Sequence, residues 1–447
     1  MGTVKTFQNK ENLFLKTLRA ILNYIVVFSV FCEALSLNFN LAFEIRLSHI
    51  LLCLLLVYYF LLHLKAIALK TYNPLTIIKT RPLLTATVVL IAVVSFLNCL
   101  RGENAFGLFF KQVTGLLLYG TGFYVLLRIN NYDVKRLFKM YFNIAFFVAA
   151  AGVTQELFYV FNTPWIFDFS DISAKWQLTY TSNLQFIKIN SVLPEPASFC
   201  LIMFPAFFYA INSFASTKLA VRSKFQCFII IAAYLFSFSL IGYIGIFLSA
   251  FLLLLRRLKT KTGVLLCLAV MFSASFFFYT IPDFHSRIID TFEVFSGKKD
   301  VNSTNTSSYT LLISTTITAK EALENIPSLL FGNGLGSYEV SYFRHIHSLG
   351  IDMAGKQYLN TKDASALSLR LVSETGLIGL FIFLGFAMRY FLFKVKDPAR
   401  CLWIINNGIF ILILLRLLRQ GNYFSEGFFF FLWLYYYSFK QEMKTQK

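Results

Sequence analysis

The sequence predicts an all-α polytopic membrane protein of about twelve transmembrane helices with a large, partly helical external loop. Three observations predict it. Hydrophobic residues make up 57% of the 447 residues and charged residues only 14%, more apolar surface than a soluble chain of this length can hide. Runs of Leu, Ile, Phe and Val long enough to cross about 30 Å of hydrocarbon recur along the chain. One long polar interruption, from Pro282 to Leu371, breaks the pattern late.

The spans are Ala20–Leu37, Leu47–Leu69, Pro82–Leu100, Ala105–Leu127 and Leu137–Phe161, then Ser198–Ala215, Phe225–Leu240, Ile241–Leu255 and Val264–Ile281, and last Gly376–Phe393, Leu402–Leu418 and Tyr423–Phe439. The pair meeting at Ser239–Gly242 reads either as two short spans or as one long broken helix, so eleven or thirteen spans are alternatives. Met1 to Arg19 is polar and basic without a cleavage pattern, so the first span doubles as the insertion signal. The chain divides into a bundle at 1–281 with an external loop at 162–197, the large loop at 282–371, and a closing bundle at 372–447.

Basic residues resist translocation and collect in short cytoplasmic loops. An amino terminus on the inside puts every basic cluster there, among them Arg128, Lys135 and Arg136, the group from Arg256 to Lys261, and Lys440 with Lys444. The net charge of +19 is therefore a topology signal and speaks against a nucleic-acid partner, which needs basic residues clustered on one aqueous surface. The seven cysteines lie in or beside apolar runs, without CxxC spacing. His345 and His347 lack a third ligand in a metal-binding pattern and read as solvated loop residues.

The first loop interleaves Trp165, Phe167, Phe169, Trp176, Tyr180 and Phe186 with Asp168, Asp171, Lys175 and Lys188. Such a mix suits a glycan, whose C–H faces stack on rings, and equally suits anchoring at headgroup level. In the long loop, Leu312, Ala319, Leu323 and Ile326 recur at helical spacing with Lys320, Glu321 and Glu324 on another side. They predict an amphipathic helix over 308–325 ended by Pro327. Phe331-Gly-Asn-Gly-Leu-Gly-Ser-Tyr338 follows as a turn where glycine permits left-handed backbone or close approach to a ligand; no strand leads into it, so it is no dinucleotide fingerprint.

Charged residues at or inside the spans cost about 2.5 to 3.5 kcal/mol each in hydrocarbon and so mark a polar interior. Lys111 lies in the fourth span with Arg101 above it; Arg416 and Arg419 lie near the outer end of the eleventh. Glu195 is fixed between two prolines at the mouth of the sixth span, and Arg370 and Glu374 stand where the long loop feeds the tenth. Guanidinium forks neutralise a leaving pyrophosphate without a metal or cofactor, and an attacking hydroxyl needs a carboxylate or imidazole to take its proton. The composition thus fits transfer of a sugar from a lipid pyrophosphate to a hydroxyl.

Pro194-Glu-Pro-Ala-Ser198, Ile326-Pro-Ser-Leu-Leu-Phe-Gly-Asn-Gly-Leu-Gly-Ser-Tyr338 and Glu374-Thr-Gly-Leu-Ile-Gly379, in this order with this span count, resemble the bacterial O-antigen polymerases of the Wzy type across essentially the whole chain. The resemblance implies an inner-membrane glycosyltransferase with a periplasmic site and a type C glycosyltransferase-like fold. It implies undecaprenyl-pyrophosphate-linked oligosaccharide as donor and acceptor, and a separate chain-length regulator as partner. The related O-antigen ligases carry a His-Asn pair where this chain has Ser365 and Ala366, a departure that argues against a ligase. The proton acceptor is left among Glu195, which ranks first, Asp363, Glu374 and His347; the pyrophosphate set is Arg101, Lys111, Arg370, Arg416 and Arg419. The competing class is a flippase or other transporter, which the span count fits equally well.

Overall fold

The computed structural model describes residues 13–37, 45–68, 82–163, 167–170, 173, 175–181, 186–214, 223–255, 282–299, 306–347, 360–393 and 401–444. Fifteen helices carry these residues: α1 Leu13–Phe28, α2 Leu47–Ala68, α3 Pro82–Leu100, α4 Phe106–Ile129, α5 Val134–Val160, α6 Pro196–Phe214, α7 Lys224–Leu235, α8 Leu240–Leu255, α9 Pro282–Phe295, α10 Thr306–Glu324, α11 Ile326–Phe331, α12 Tyr338–Ile346, α13 Leu367–Arg389, α14 Cys401–Leu418 and α15 Phe428–Lys444. Among the described residues the only sheet is a pair of two-residue strands, Ser36–Leu37 with Ile45–Arg46. Four helices among the described residues, α5, α6, α13 and α14, are long and apolar enough to cross a membrane. The protein is an all-α membrane protein; the predicted span Val264–Ile281 lies outside the described residues.

Helix α14 is the axis of the bundle. Nearly all of its side chains are buried, and it packs on α6, α13 and α15. Asn406, Asn407 and Arg416 are its buried polar residues. Asn406 donates to the carbonyls of Tyr390 (3.0 Å) and Tyr435 (3.2 Å) and to Ser438 Oγ (2.9 Å), and accepts from the Leu392 N–H at 2.9 Å. One amide therefore ties the end of α13 to α15. Asn406→Leu is expected to leave the Leu392 N–H buried and unpaired, lowering stability by about 1–3 kcal/mol, read as an earlier unfolding transition in detergent.

The Ser239–Gly242 ambiguity resolves through contacts with α6. Ser237 Oγ meets Cys200 Sγ at 2.9 Å and the Tyr234 ring stacks on Phe207 at 4.0 Å, so α7 runs antiparallel to α6. Gly242 lies against Cys200 and Gly245 against Phe204, so α8 runs parallel to it. The chain therefore reverses at 236–239, with Phe238 in left-handed backbone (φ 44°), and 225–255 is not one continuous rod.

The long loop builds its own small core from Tyr309, Ile313, Ile317, Tyr338, Tyr342 and Ile346. Helix α10 forms close to the expected bounds, but its inner face is Tyr309, Ile313, Ile317 and Glu321, while Leu323 and Ile326 are 76% and 72% exposed. The apolar spacing of Leu312, Ala319, Leu323 and Ile326 is therefore not the face that packs on the loop's own core. Pro327 does not simply end the helix either. Asn325 caps α11 by accepting from the Ser328 N–H (2.8 Å), and Pro327 occupies the first turn of α11, where a missing N–H costs nothing.

Helix α13 breaks once, at Gly376 (φ 67°, ψ −173°). The glycine-rich turn docks into this break. The N–H groups of Asn333 and Gly334 donate to the carbonyls of Ser373 and Glu374, both at 2.9 Å. On its other side, Asn98 and Asn104 donate to the carbonyls of Gly332 (3.1 Å) and Leu335 (2.9 Å), and the Leu335 N–H donates to Ser95 Oγ (3.0 Å). The turn is thus clamped between the α3–α4 hairpin and the kink of α13. The close approach that its glycines allow is to backbone.

Candidate functional site

Charged groups from distant parts of the chain gather where residues 419–427, joining α14 to α15, run under the long loop. Arg370, on the first turn of α13, is 2% exposed. Its Nε donates to Glu374 Oε1 (2.9 Å), and its Nη1 to Asp363 Oδ1 (3.1 Å) and the Gly421 carbonyl (3.2 Å). The guanidinium lies 4.3 Å from the centroid of the Tyr423 ring. Two carboxylates thus share one buried cation. They are not equivalent. Asp363's side chain is one-third exposed, whereas Glu374's is sealed; only Asp363 can meet a substrate without rearrangement.

Arg416 is wholly buried. It donates to the carbonyls of Asn422 and Ser425 and to Ser425 Oγ (3.1 Å), and stands 4.4 Å from the centroid of the Phe428 ring. Its fork holds the 422–425 turn in shape. Arg419 is only partly buried and reaches the opening of α10, with Nη2 3.5 Å from Ser307 Oγ. A guanidinium beside the N-terminus of a nineteen-residue helix is favourable ground for an anion, because the helix dipole and unpaired N–H groups both attract negative charge.

The backbone here is unusual. Of nine non-glycine residues with positive φ among the described residues, four are Asn360, Ala364, Ser365 and Gln420, all beside this group. Such conformations cost of order 1–3 kcal/mol each and persist only where surroundings over-determine them. The surroundings do so: Ser365 Oγ donates to the Thr310 carbonyl (3.1 Å), lies 3.0 Å from Ser314 Oγ and accepts from Asn360 Nδ2 (3.1 Å), while the Ser365 carbonyl accepts from the Gln420 N–H (2.9 Å). At Gly421 a Cβ would lie 1.5 Å from the Asp363 carbonyl oxygen, so only glycine lets the two segments touch.

The remaining predicted residues lie elsewhere. Glu195 is half-buried at the head of α6, its carbonyl accepting from the Phe199 N–H (3.0 Å), and its carboxylate meets no hydrogen-bond or ion-pair partner among the described residues. His347 is exposed at the end of α12; Arg101 is exposed in the α3–α4 turn and Lys111 is exposed on α4. In the 162–197 loop, Phe167 and Trp176 are buried, Trp176 donating to the Ser191 carbonyl (2.8 Å), while Tyr180 is 51% exposed. Trp165 and Asp171 lie outside the described residues.

A second group, not foreseen, centres on Glu321. Its carboxylate takes His345 Nε2 (2.5 Å), Arg344 Nη1 (3.1 Å) and the Asn333 amide, and Arg344 continues to Glu103 (2.7 Å). Glu321, Glu324 and His345 offer metal-ligand atoms within 4.8 Å of one another, but Glu321 already holds Arg344 and Asn333, and the group works as a latch joining α10, α12, the glycine-rich turn and the α3–α4 hairpin. Tyr423, Ser307 and Glu321 carried no motif that would single them out; each matters through a partner far away in sequence. Burial raises the phenols of Tyr309, Tyr338 and Tyr342 above their ordinary range, Tyr342 to about 12, so these are O–H donors and not bases at neutral pH.

The fold and this site define an all-α membrane protein with a buried, carboxylate-paired arginine beneath a structured loop. No family model matches the chain, and no curated protein matches it.

Proposed function

We propose that the chain is a polysaccharide polymerase of the O-antigen type, passing a growing glycan from a polyprenyl pyrophosphate to the hydroxyl of the next lipid-linked repeat unit on the loop side of a bacterial inner membrane. The observation that carries this reading is the meeting of Arg419, the opening of α10, and the Asp363–Arg370–Glu374 group around one segment. In the proposed reaction the bond between the anomeric carbon and the pyrophosphate oxygen breaks, and the leaving group departs with the electron pair. Arg419 and the N-terminus of α10 receive that charge. The acceptor hydroxyl forms the new glycosidic bond and gives its proton to Asp363, which Arg370 holds in place. Arg370 and Arg416, held by protein partners, act as positioning residues. No metal or cofactor is required of the reading.

Deleting the gene tests it against its alternatives. A polymerase loss leaves lipopolysaccharide capped with one repeat unit; loss of a flippase traps the lipid-linked unit on the cytoplasmic side; loss of a ligase leaves polymer on the carrier lipid. Within the protein, Asp363→Asn and Arg419→Ala are expected to abolish chain extension while the protein still inserts and unfolds normally. Arg419→Lys is expected to be impaired as well, because a point charge replaces a bidentate fork. A normal chain-length distribution in Asp363→Asn together with a lost one in Glu195→Gln would transfer the proton acceptor's role to Glu195.

A further inference from the structure

Among the described residues, nothing covers the outward apolar stripe of the long loop. Leu323 and Ile326 are 76% and 72% exposed, and Leu330 and Phe331 follow at 37% and 39%. An aqueous loop does not hold four neighbouring large apolar residues in the open without a use. What covers them follows from where the segment is clamped. A Cβ on Gly376, the break at which the apolar run of α13 begins, would lie 2.2 Å from the Leu330 carbonyl oxygen, and Gly334 lies against Ser95 of α3. Just beyond these contacts, α13 exposes Phe381 (64%) and α3 exposes Leu97 (46%), and α13 is one of the helices able to cross a membrane. The stripe therefore adjoins the apolar run of α13 through Leu330, and the turn behind it adjoins α3 through Gly334. The intervening polar groups are drawn away from it: Glu324 lies 3.4 Å from His345 Nε2, and the Asn325 side chain caps α11.

We infer that residues 323–331 form a wedge seated in the bilayer leaflet at the loop end, between α3 and α13, so that the long loop is moored to the membrane and does not stand clear of it. A short, strongly apolar turn docked at the hydrocarbon boundary behaves as an interfacial anchor. The glycine-rich turn then supplies the clamp and α11 the anchor. This inference does not depend on the reaction proposed above.

The test uses the full chain in nanodiscs of phosphatidylethanolamine and phosphatidylglycerol, with bimane attached at Ile326→Cys or, separately, at Leu323→Cys, and at Lys298→Cys, an exposed loop position; labelling of the unsubstituted protein gives the background. Nitroxide carried on the lipid acyl chain is expected to quench bimane at 326 and 323 several-fold more than at 298, and a charged maleimide is expected to react with 326 and 323 several-fold more slowly. Equal quenching and equal reactivity at all three positions would overturn the inference. Protection of 326 and 323 in native membranes that vanishes in nanodiscs would also overturn it, since a protein and not lipid would then be the cover.

Discussion

Arg370→Ala is expected to destabilise the protein by about 3–5 kcal/mol, the cost of stranding a buried charge by removing its partner. Glu374 is 1% exposed and has Arg370 as its ion-pair partner among the described residues; without the guanidinium its carboxylate must be protonated or drawn toward water, and either opens the head of α13. The measurement is the unfolding midpoint in detergent, and an unchanged midpoint would show that the pair contributes nothing. Arg370→Met combined with Glu374→Leu separates structure from chemistry. Replacing both members of a buried pair with apolar residues of similar volume is often neutral, so stability should return. Chain extension should not, because Asp363 would still lack the group that orients it. Recovery of both would reduce Arg370 to a packing role.

Gly376→Ala and Gly332→Ala are expected to release the long loop from the bundle. Both glycines adopt φ near +70° with ψ near 180°, φ 67° and ψ −173° at Gly376, φ 70° and ψ −176° at Gly332, a region essentially closed to other residues. Space is closed as well. A Cβ at Gly376 would lie 2.2 Å from the Leu330 oxygen, and one at Gly332 would lie 2.4 Å from the Glu374 carbonyl carbon. Strain of about 1–3 kcal/mol at either site, added to the loss of the Asn333 and Gly334 hydrogen bonds, should expose 306–347 to protease before the bundle melts. Gly385→Ala is the comparison. It lies within helix α13 with nothing within 4 Å of an added Cβ and is expected to be neutral or slightly stabilising. Equal protease resistance in all three variants would mean that the clamp is not what holds the loop.

The sequence made the glycine-rich turn visible as a place of special backbone but not the object it approaches. Glycines announce that a Cβ is forbidden; they do not say whether a ligand or a helix fills the space. Here it is the break in α13, over forty residues away. The same limit explains α10. Its apolar spacing was legible, but spacing fixes only that one face is apolar. Which way that face turns depends on what lies outside, and beside a membrane the outside is itself apolar.

Charge was legible one residue at a time. Arg370, Arg416 and Arg419 stood out because guanidinium is costly near hydrocarbon, and the structure puts all three around 419–427. Arg101 and Lys111 stood out for the same reason, yet they are exposed and belong to the α3–α4 hairpin and not to that segment. Cost identifies a charged residue that needs an environment; it does not identify the environment. Glu321 shows the converse, a carboxylate placed by spacing on the polar side of its helix that is 3% exposed and binds two basic side chains.

By itself the sequence determined the class of protein and the course of most helices, because length and apolarity of a run are local properties that the bilayer reads directly. The tertiary structure decided the reversal at 236–239, the outward turn of the α10 stripe, and which carboxylate shares its arginine while still open to solvent. Each of those depends on contacts between segments tens to hundreds of residues apart, and no local pattern encodes a partner's position.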